Sequence, residues 1–429
     1  MMKFVKQNLI SLISVVVVIL AVAAIFYPFK GWRSALHHKM RHRLGQVAVA
    51  SSLGQTNVTL PGHKPLYKGV VTNKAIAVRQ KVQQAMVAQM GRIARLAARL
   101  NSHGRVIMRG GKEVPLLNGR PESRLLPRPA SSYQRLGNFR RQYRELFTEN
   151  PRHPHLWLVE LHAAVPPTPR QIRRLVKAQL RRMRMNTPKG FHGRQTISSK
   201  SLYQAIARRM ILNTAASHKI YASPASFQIR SFVRKTRLPN ATEIFNAFVD
   251  CWLQGDIVHA ILEVNHGAQN IGDAPIKRLV HISVGADASS ATPDSGSGNG
   301  PIFLRQASLS GNNSTGTNVS AGISMTGHVG THQYDVTFVD VTVMIQPTDI
   351  NKFIDAIYRQ NDAYTVLNVN LRTVDPIDAI THGYAYGAVP VVRANILLEA
   401  ILFRKWTVPI MPAAYRTALG ITATKKVMP

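Results

Sequence analysis

The 429-residue chain carries 55 Lys and Arg against 20 Asp and Glu, a formal charge of +35, and such a surface repels itself unless something anionic lies nearby. Its single cysteine, Cys251, excludes an internal disulfide. The charge is segregated: residues 28–239 hold 41 basic and 5 acidic residues, whereas residues 240–429 hold 12 basic and 15 acidic ones, which implies at least two units with different surroundings.

Residues 1–7 form a short basic tail. From Leu9 to Tyr27 the chain (LISLISVVVVILAVAAIFY) has no charged residue, and at about 1.5 Å per residue the run reaches roughly 28 Å, near the thickness of a bilayer core. It is longer than the apolar core of a signal peptide. The expectation is one uncleaved transmembrane helix over residues 8–27, with Leu9 and Tyr27 near its ends. That makes a single-pass protein of the inner (cytoplasmic) membrane. Lys30, Arg33, Lys39, Arg41 and Arg43 follow the span and, counted locally, hold the bulk of the chain in the cytoplasm. Long domains, however, translocate largely regardless of charge, and the C-terminal domain is expected in the periplasm.

Residues 28–72, with Pro28, Gly31, Gly54, Pro61, Gly62 and Pro65 spread through them, are expected to be a tether. Residues 73–239 are expected to be a basic, mostly helical region. In residues 74–100, Met86, Met90, Ile93, Ala97 and Leu100 repeat at spacings of four, three, four and three, the pattern of a coiled coil or of an amphipathic helix packing on its own domain. Gly, Pro and Arg dominate 104–132, which predicts a loop. Residues 133–148 predict a helix with Leu136, Phe139, Tyr143, Leu146 and Phe147 on one side. Thr168 and Pro169 suit the start of a helix over 169–186. Its apolar stripe is Ile172, Leu175, Val176, Leu180 and Met183; Arg173, Arg174, Lys177, Arg181, Arg182 and Arg184 cover the remainder. Residues 199–213 repeat the theme, with Leu202, Ile206 and Met210 inside and Arg208 and Arg209 outside.

Residues 240–405 read as one α+β domain. Asn240 and Glu243 form a capping-box start for a helix running to about Val264. Residues 276–284 alternate as a strand. Residues 286–333 are a long loop rich in Gly, Ser and Asn, of a length that is either disordered or functional. A strand over 334–345, a helix from Pro347, and strands over 364–374 and 390–403 follow from their periods of two and 3.6. The order helix, strand, strand, helix, strand, strand predicts a four-stranded antiparallel sheet with both helices on one face. This is a ferredoxin-like αββαββ sandwich with one polar sheet face free. Residues 406–429 are expected to be a tail.

A short tail, one span, a stalk that can coil and a terminal αββαββ domain resemble the PilO and GspM type of inner-membrane component of type IV pilus and type II secretion assembly platforms. The segments WLQGDIVHAILEVN (252–265), APIKRLVHISV (274–284) and VLNVNLRTVDP (366–376) resemble uncharacterised membrane proteins of planctomycete-type bacteria more closely. The resemblance implies a scaffold that pairs, as a homodimer or with a related ferredoxin-like membrane subunit, and does no catalysis. The long basic segment between span and domain departs from the family, which has only a stalk there.

No catalytic, cofactor or metal constellation stands out. His37, His38 and His42 sit among cations that would repel a metal, and His328 and His332, with Asp335 nearby, read as a solvated loop. The GSGNG stretch at 296–300 lacks the following Lys-Ser/Thr and helix of a phosphate loop. The expected activity is therefore non-enzymatic scaffolding. The Arg faces of 169–186 and 199–213 are expected to meet an anionic surface, foremost membrane lipid headgroups, with nucleic acid as the alternative ligand of a tethered binder.

Overall fold

The computed structural model describes residues 9–53, 57–58, 67–68, 73–122, 125–129, 132–148, 156–185, 199–285, 302–304, 324–361 and 363–421. The chain divides into two compact units, Met1–Ala94 and Arg95–Pro429. In the first, α1 (Leu9–Leu53) is followed by a two-stranded ladder of β1 (Asn57–Val58) and β2 (Tyr67–Lys68) and by most of α2 (Asn73–Ser102). The chain expected as a tether is thus helical as far as Leu53.

Among the described residues no helix is long and apolar enough to cross a membrane. This overturns the transmembrane helix expected over residues 8–27 and the single-pass inner-membrane location that rested on it. The helix does not stop at Tyr27. Its backbone runs on through Pro28, Lys30 and Arg33 into the basic stretch that ends at Leu53, so one continuous element joins the apolar run to a charged one.

The second unit is mixed α+β. Its elements are β3 (Val106–Arg109), β4 (Lys112–Leu117), β5 (Arg120–Pro121), α3 (Tyr133–Glu145), α4 (Trp157–Glu160), β6 (Ala163–Ala164), α5 (Pro169–Met185), α6 (Ser199–Ser217), β7 (Ile220–Tyr221), α7 (Ala241–Val264), β8 (Ile276–Val284), β9 (Tyr334–Ile345), α8 (Ile350–Gln360), β10 (Tyr364–Thr373), α9 (Pro376–Thr381), β11 (Val392–Phe403), α10 (Arg404–Ile410) and α11 (Ala413–Ala418). The main sheet runs β10–β11–β9–β8–β7–β6. The four long strands are antiparallel, and β7 and β6 join parallel to β8.

Three features differ from the sequence reading of this unit. The sheet has six strands, because two short pieces of the middle region extend it. Residues 104–132 are not a plain loop: β3 and β4 close around Gly110-Gly111, and β4 and β5 around Asn118-Gly119. Those turn residues have positive φ, from 48° to 75°, the geometry that two-residue hairpin turns require. The C-terminal segment is no tail as far as Ile421, for α10 and α11 bring Trp406, Ile410, Met411, Tyr415 and Leu419 into the main core.

The core is built on α7. The predicted capping box forms, with Asn240 Oδ1 accepting from the Glu243 amide at 2.8 Å and Glu243 Oε2 from the Asn240 amide at 2.9 Å. From Glu243 to Gly255 every side chain is buried, so the helix needs protein all round it. The inward-facing Leu279, Ile282, Val339, Val341, Val343, Ile396 and Leu398 of the sheet, Phe353 and Ile357 of α8, and Leu117, Phe139, Trp157, Phe227 and Phe232 of the middle region belong to one cluster with it. Phe139 and Phe248 lie 5.4 Å apart, as do Phe147 and Trp157.

Polar pairs join the same parts. Arg230 Nη2 donates to Asp250 Oδ1 at 2.6 Å, and its Nε pairs with Oδ2. Arg105 Nη2 meets Asp256 Oδ2 at 2.5 Å, and the Tyr364 hydroxyl donates to the same oxygen at 2.7 Å. Gln254 exchanges two hydrogen bonds with the Gln228 backbone, at 3.0 and 3.1 Å.

Residues 240–405 are therefore not expected to fold alone; an isolated 240–405 fragment should lack cooperative thermal unfolding, whereas residues 95–421 should show it. Asp250→Ala leaves the Arg230 guanidinium buried without a counter-charge. It should cost about 3–5 kcal/mol in urea unfolding, more than Asp375→Ala at the exposed cap of α9, which is expected to cost about 1 kcal/mol.

Candidate functional site

Three surfaces carry chemistry. The first is the apolar stripe of α2. Met86, Met90, Ile93 and Leu100 are 40%, 68%, 67% and 45% exposed, and Val87 and Leu96 beside them are exposed too. An amphipathic helix packed on its own chain would hide these positions. Here they face outward along the helix at the three–four spacing of a coiled-coil seam.

The second is the far side of the main sheet, away from α7 and α8. It was expected to be a free polar face, and the structure covers both ends of it. At one end Leu304, Val336 and Phe338 cluster, flanked by Leu367, Leu397 and Ile401. At the other, Ile211, Ala215, Tyr221, Ile271, Met344, Tyr386 and Val391 pack together, and the Arg278 guanidinium lies 3.9 Å from the centre of the Tyr384 ring. Between them a polar strip remains, with Thr342 and Asp340 of β9 opposite His281 and Ser283 of β8 and beside Asn395 of β11. Asn395 Nδ2 donates to Asp340 Oδ1 at 2.7 Å. Burial pushes the Asp340 carboxyl up, partly offset by that bond and by His281 and Arg393. The strip opens on β10, the free edge of the sheet, where Asn368, Asn370, Leu371, Arg372 and Thr373 are exposed.

His328 departs from the solvated-loop expectation. Its Nδ1 lies 2.5 Å from Oε1 of Glu399, a fully buried carboxylate that also accepts from Thr326 Oγ1 at 2.6 Å and from Ser324. Residues 324–328 thus strap one end of the sheet face. Asp335, in the strand expected over 334–345, is buried against Arg404 at 2.5 Å. No local signal pointed to either pair, because the partners lie about 70 residues away in sequence.

The third surface is the helix pair α5 and α6. Ile172 and Val176 of α5 and Leu202 of α6 form a small core of their own, with Leu180, Met183, Ile206 and Met210 packed against it. Arg173, Arg174, Lys177, Arg181 and Arg182 on α5 and Arg208 and Arg209 on α6 are exposed. Arg184 lies in α5, and Leu9 and Tyr27 lie in α1; their side chains are outside the described residues. So is the GSGNG stretch. His37, His38 and His42 are exposed on α1, and among the described residues no group of His, Cys, Asp and Glu is arranged to hold a metal ion.

At the edge of β8, Lys277 is buried with its Nζ donating to Gly272 O at 2.5 Å. Burial lowers its pKa from 10.5 to about 8, against the opposing pull of Asp273 and Asp349. The folded state thus loses this proton more readily than the unfolded one, and the destabilising charge present below pH 8 is relieved as pH rises from about 8 to 10.5. Thermal melts should show the stability of the wild type rising across that window relative to Lys277→Met. Parallel pH profiles of the two would contradict it.

No known protein family matches the sequence, and no curated protein does. Two solved structures from Akkermansia muciniphila are distantly similar. One, described as lacking its transmembrane region, is 10% identical over an alignment covering 57% of this chain and 93% of that one, with a TM-score of 0.21. The other is 10% identical over 63% of this chain and 97% of that one, with a TM-score of 0.20. At these scores the similarity carries no argument about fold or function.

Proposed function

We propose that the protein is a non-catalytic structural subunit that pairs with a second copy of itself, α2 against α2 in a parallel coiled coil. The observation that supports this is the solvent-exposed stripe of Met86, Met90 and Ile93, continued by Ala97 and Leu100. Hydrophobic residues repeating every 3.5 positions seat as knobs in the holes of an equivalent helix, and their exposure leaves that seam available. The free edge of β10 adds a second place where another α+β subunit can extend the sheet by main-chain hydrogen bonds. The finer role is that of a PilO- or GspM-type component of a type IV pilus or type II secretion assembly platform. It rests on the resemblance of the terminal domain and on this pairing stripe, and no membrane span enters it.

Cysteine cross-linking of the full chain tests the pairing, since the native Cys251 is buried. Met90→Cys, on the seam, should form a disulfide-linked dimer on mild oxidation. Arg92→Cys, exposed on another face of the same helix, should stay monomeric. No dimer from Met90→Cys, or equal yields from the two variants, would refute the seam.

A further inference from the structure

The proposed pairing leaves α5 and α6 without a role. Residues 161–242 contain 17 Lys and Arg and not one Asp or Glu. Part of that charge is paired within the protein, as at Arg230 and Asp250 or Arg237 and Glu243. The charge on α5 is not. Arg170, Arg173, Lys177 and Arg181 follow one another at spacings of three, four and four, a single stripe along the helix; Arg174 flanks it, and Arg182 carries the positive charge farther round the helix. All six are exposed, and none of them takes part in an ion pair among the described residues. At about 1.5 Å per residue the stripe is roughly 18 Å long with a cation at nearly every turn.

The helix that bears the stripe is fixed in place. Thr168 and Gln171 hold its start, with Gln171 Oε1 accepting from the Thr168 amide at 2.8 Å and Thr168 Oγ1 from the Gln171 amide at 3.3 Å. Its apolar side is spent on α6 through Ile172, Val176 and Leu202. This decides between the anionic partners. A helix that lies in a lipid interface sinks an apolar face among the acyl chains, whereas Ile172, Val176, Leu180 and Met183 of α5 are turned into the contact with α6 and only Leu175 of its apolar stripe is exposed. A protein partner would need a central aromatic or aliphatic anchor, whereas the stripe offers charge alone. A duplex presents what does fit: about one negative charge per 1.7 Å of axis and a major groove about 12 Å wide that admits a helix.

We infer that the exposed stripe Arg170–Arg173–Arg174–Lys177–Arg181–Arg182 of α5 is a binding surface for the phosphate backbone of duplex nucleic acid. Binding is independent of sequence, because the contacts are to phosphate oxygens, which carry no sequence information. Arg208 and Arg209 of α6 add to the local positive field.

The test measures binding of the full chain to a fluorescein-labelled, mixed-sequence DNA duplex by anisotropy, across about 50–200 mM KCl. Three variants are compared with the wild type. The first replaces Arg173, Arg174, Lys177, Arg181 and Arg182 by Gln. The second replaces the five exposed cations Arg79, Lys81, Arg92, Arg95 and Arg99 of α2 by Gln, removing the same net charge elsewhere. The third changes the four arginines of the first set to Lys. The α5 Gln variant should bind at least about tenfold more weakly near 0.15 M salt, with a salt slope shallower by about 4, since each phosphate contact contributes about 0.9. The α2 variant should shift the slope by less than about 1, and the Lys variant should keep the wild-type slope, which separates loss of charge from loss of fold. Equal losses from the α5 and α2 sets, no wild-type binding near 0.15 M salt, or phosphatidylglycerol vesicles displacing the DNA at that salt would each overturn the inference.

Discussion

Asp250 lies in the middle of α7 with no access to solvent, and the charge it carries is met by Arg230, a residue of the basic middle region. An uncompensated carboxylate there would be prohibitive, so α7 can be buried only if the middle region folds onto it. The same logic recurs along the helix. Asp256 takes Arg105, Glu243 takes Arg237, and Gln254 takes the backbone of Gln228. The acidic residues of the C-terminal half therefore draw inward cations of the basic half. The helix that looks like the first element of a separate domain is the axis on which Arg95–Pro429 closes.

That closure decides which surfaces are left. Because the middle region is held against α7, its short strands β7 and β6 come to lie along β8 and cover that edge of the sheet. Among the described residues the opposite edge, β10, has no further strand beside it. The bulge between Val366 and Asn368 and the charge of Arg372 are the usual means by which an edge discourages indiscriminate pairing. On the outer sheet face the residues around Tyr221 and Tyr386, and the strap that ends in His328 and Glu399, leave only the polar strip between them. The cations not needed inside are left facing outward, and on α5 they line up because the helix repeat places every third or fourth residue on one side.

The signals legible in the sequence were local ones. Alternation over β8, β9 and β11 and the 3.6-residue period of α8 gave those elements with nearly their observed bounds, and Asn240 with Glu243 marked the start of α7, because caps and faces depend on neighbours a few residues apart. The hairpins at Gly110-Gly111 and Asn118-Gly119 carry turn signals as well, but the Gly, Pro and Arg content around them reads as loop. The exposure of the α2 stripe was not legible, because the same spacing serves a coiled coil or a helix packed at home.

By itself the sequence determined the segregation of charge, the αββαββ order after Asn240, and the amphipathic faces of α2, α5 and α6. Periodicity and composition fix these without reference to distant residues. Tertiary structure decided that the basic region and the C-terminal domain share one core, that the sheet has six strands, that Glu399 and Asp335 are buried with partners, and which cations remain for a ligand. Each of these depends on groups brought together from far apart in the chain. Two-residue strands such as β6 and β7 have no period to detect, and a buried ion pair such as Arg230 with Asp250 is favoured only once the surrounding core has excluded water.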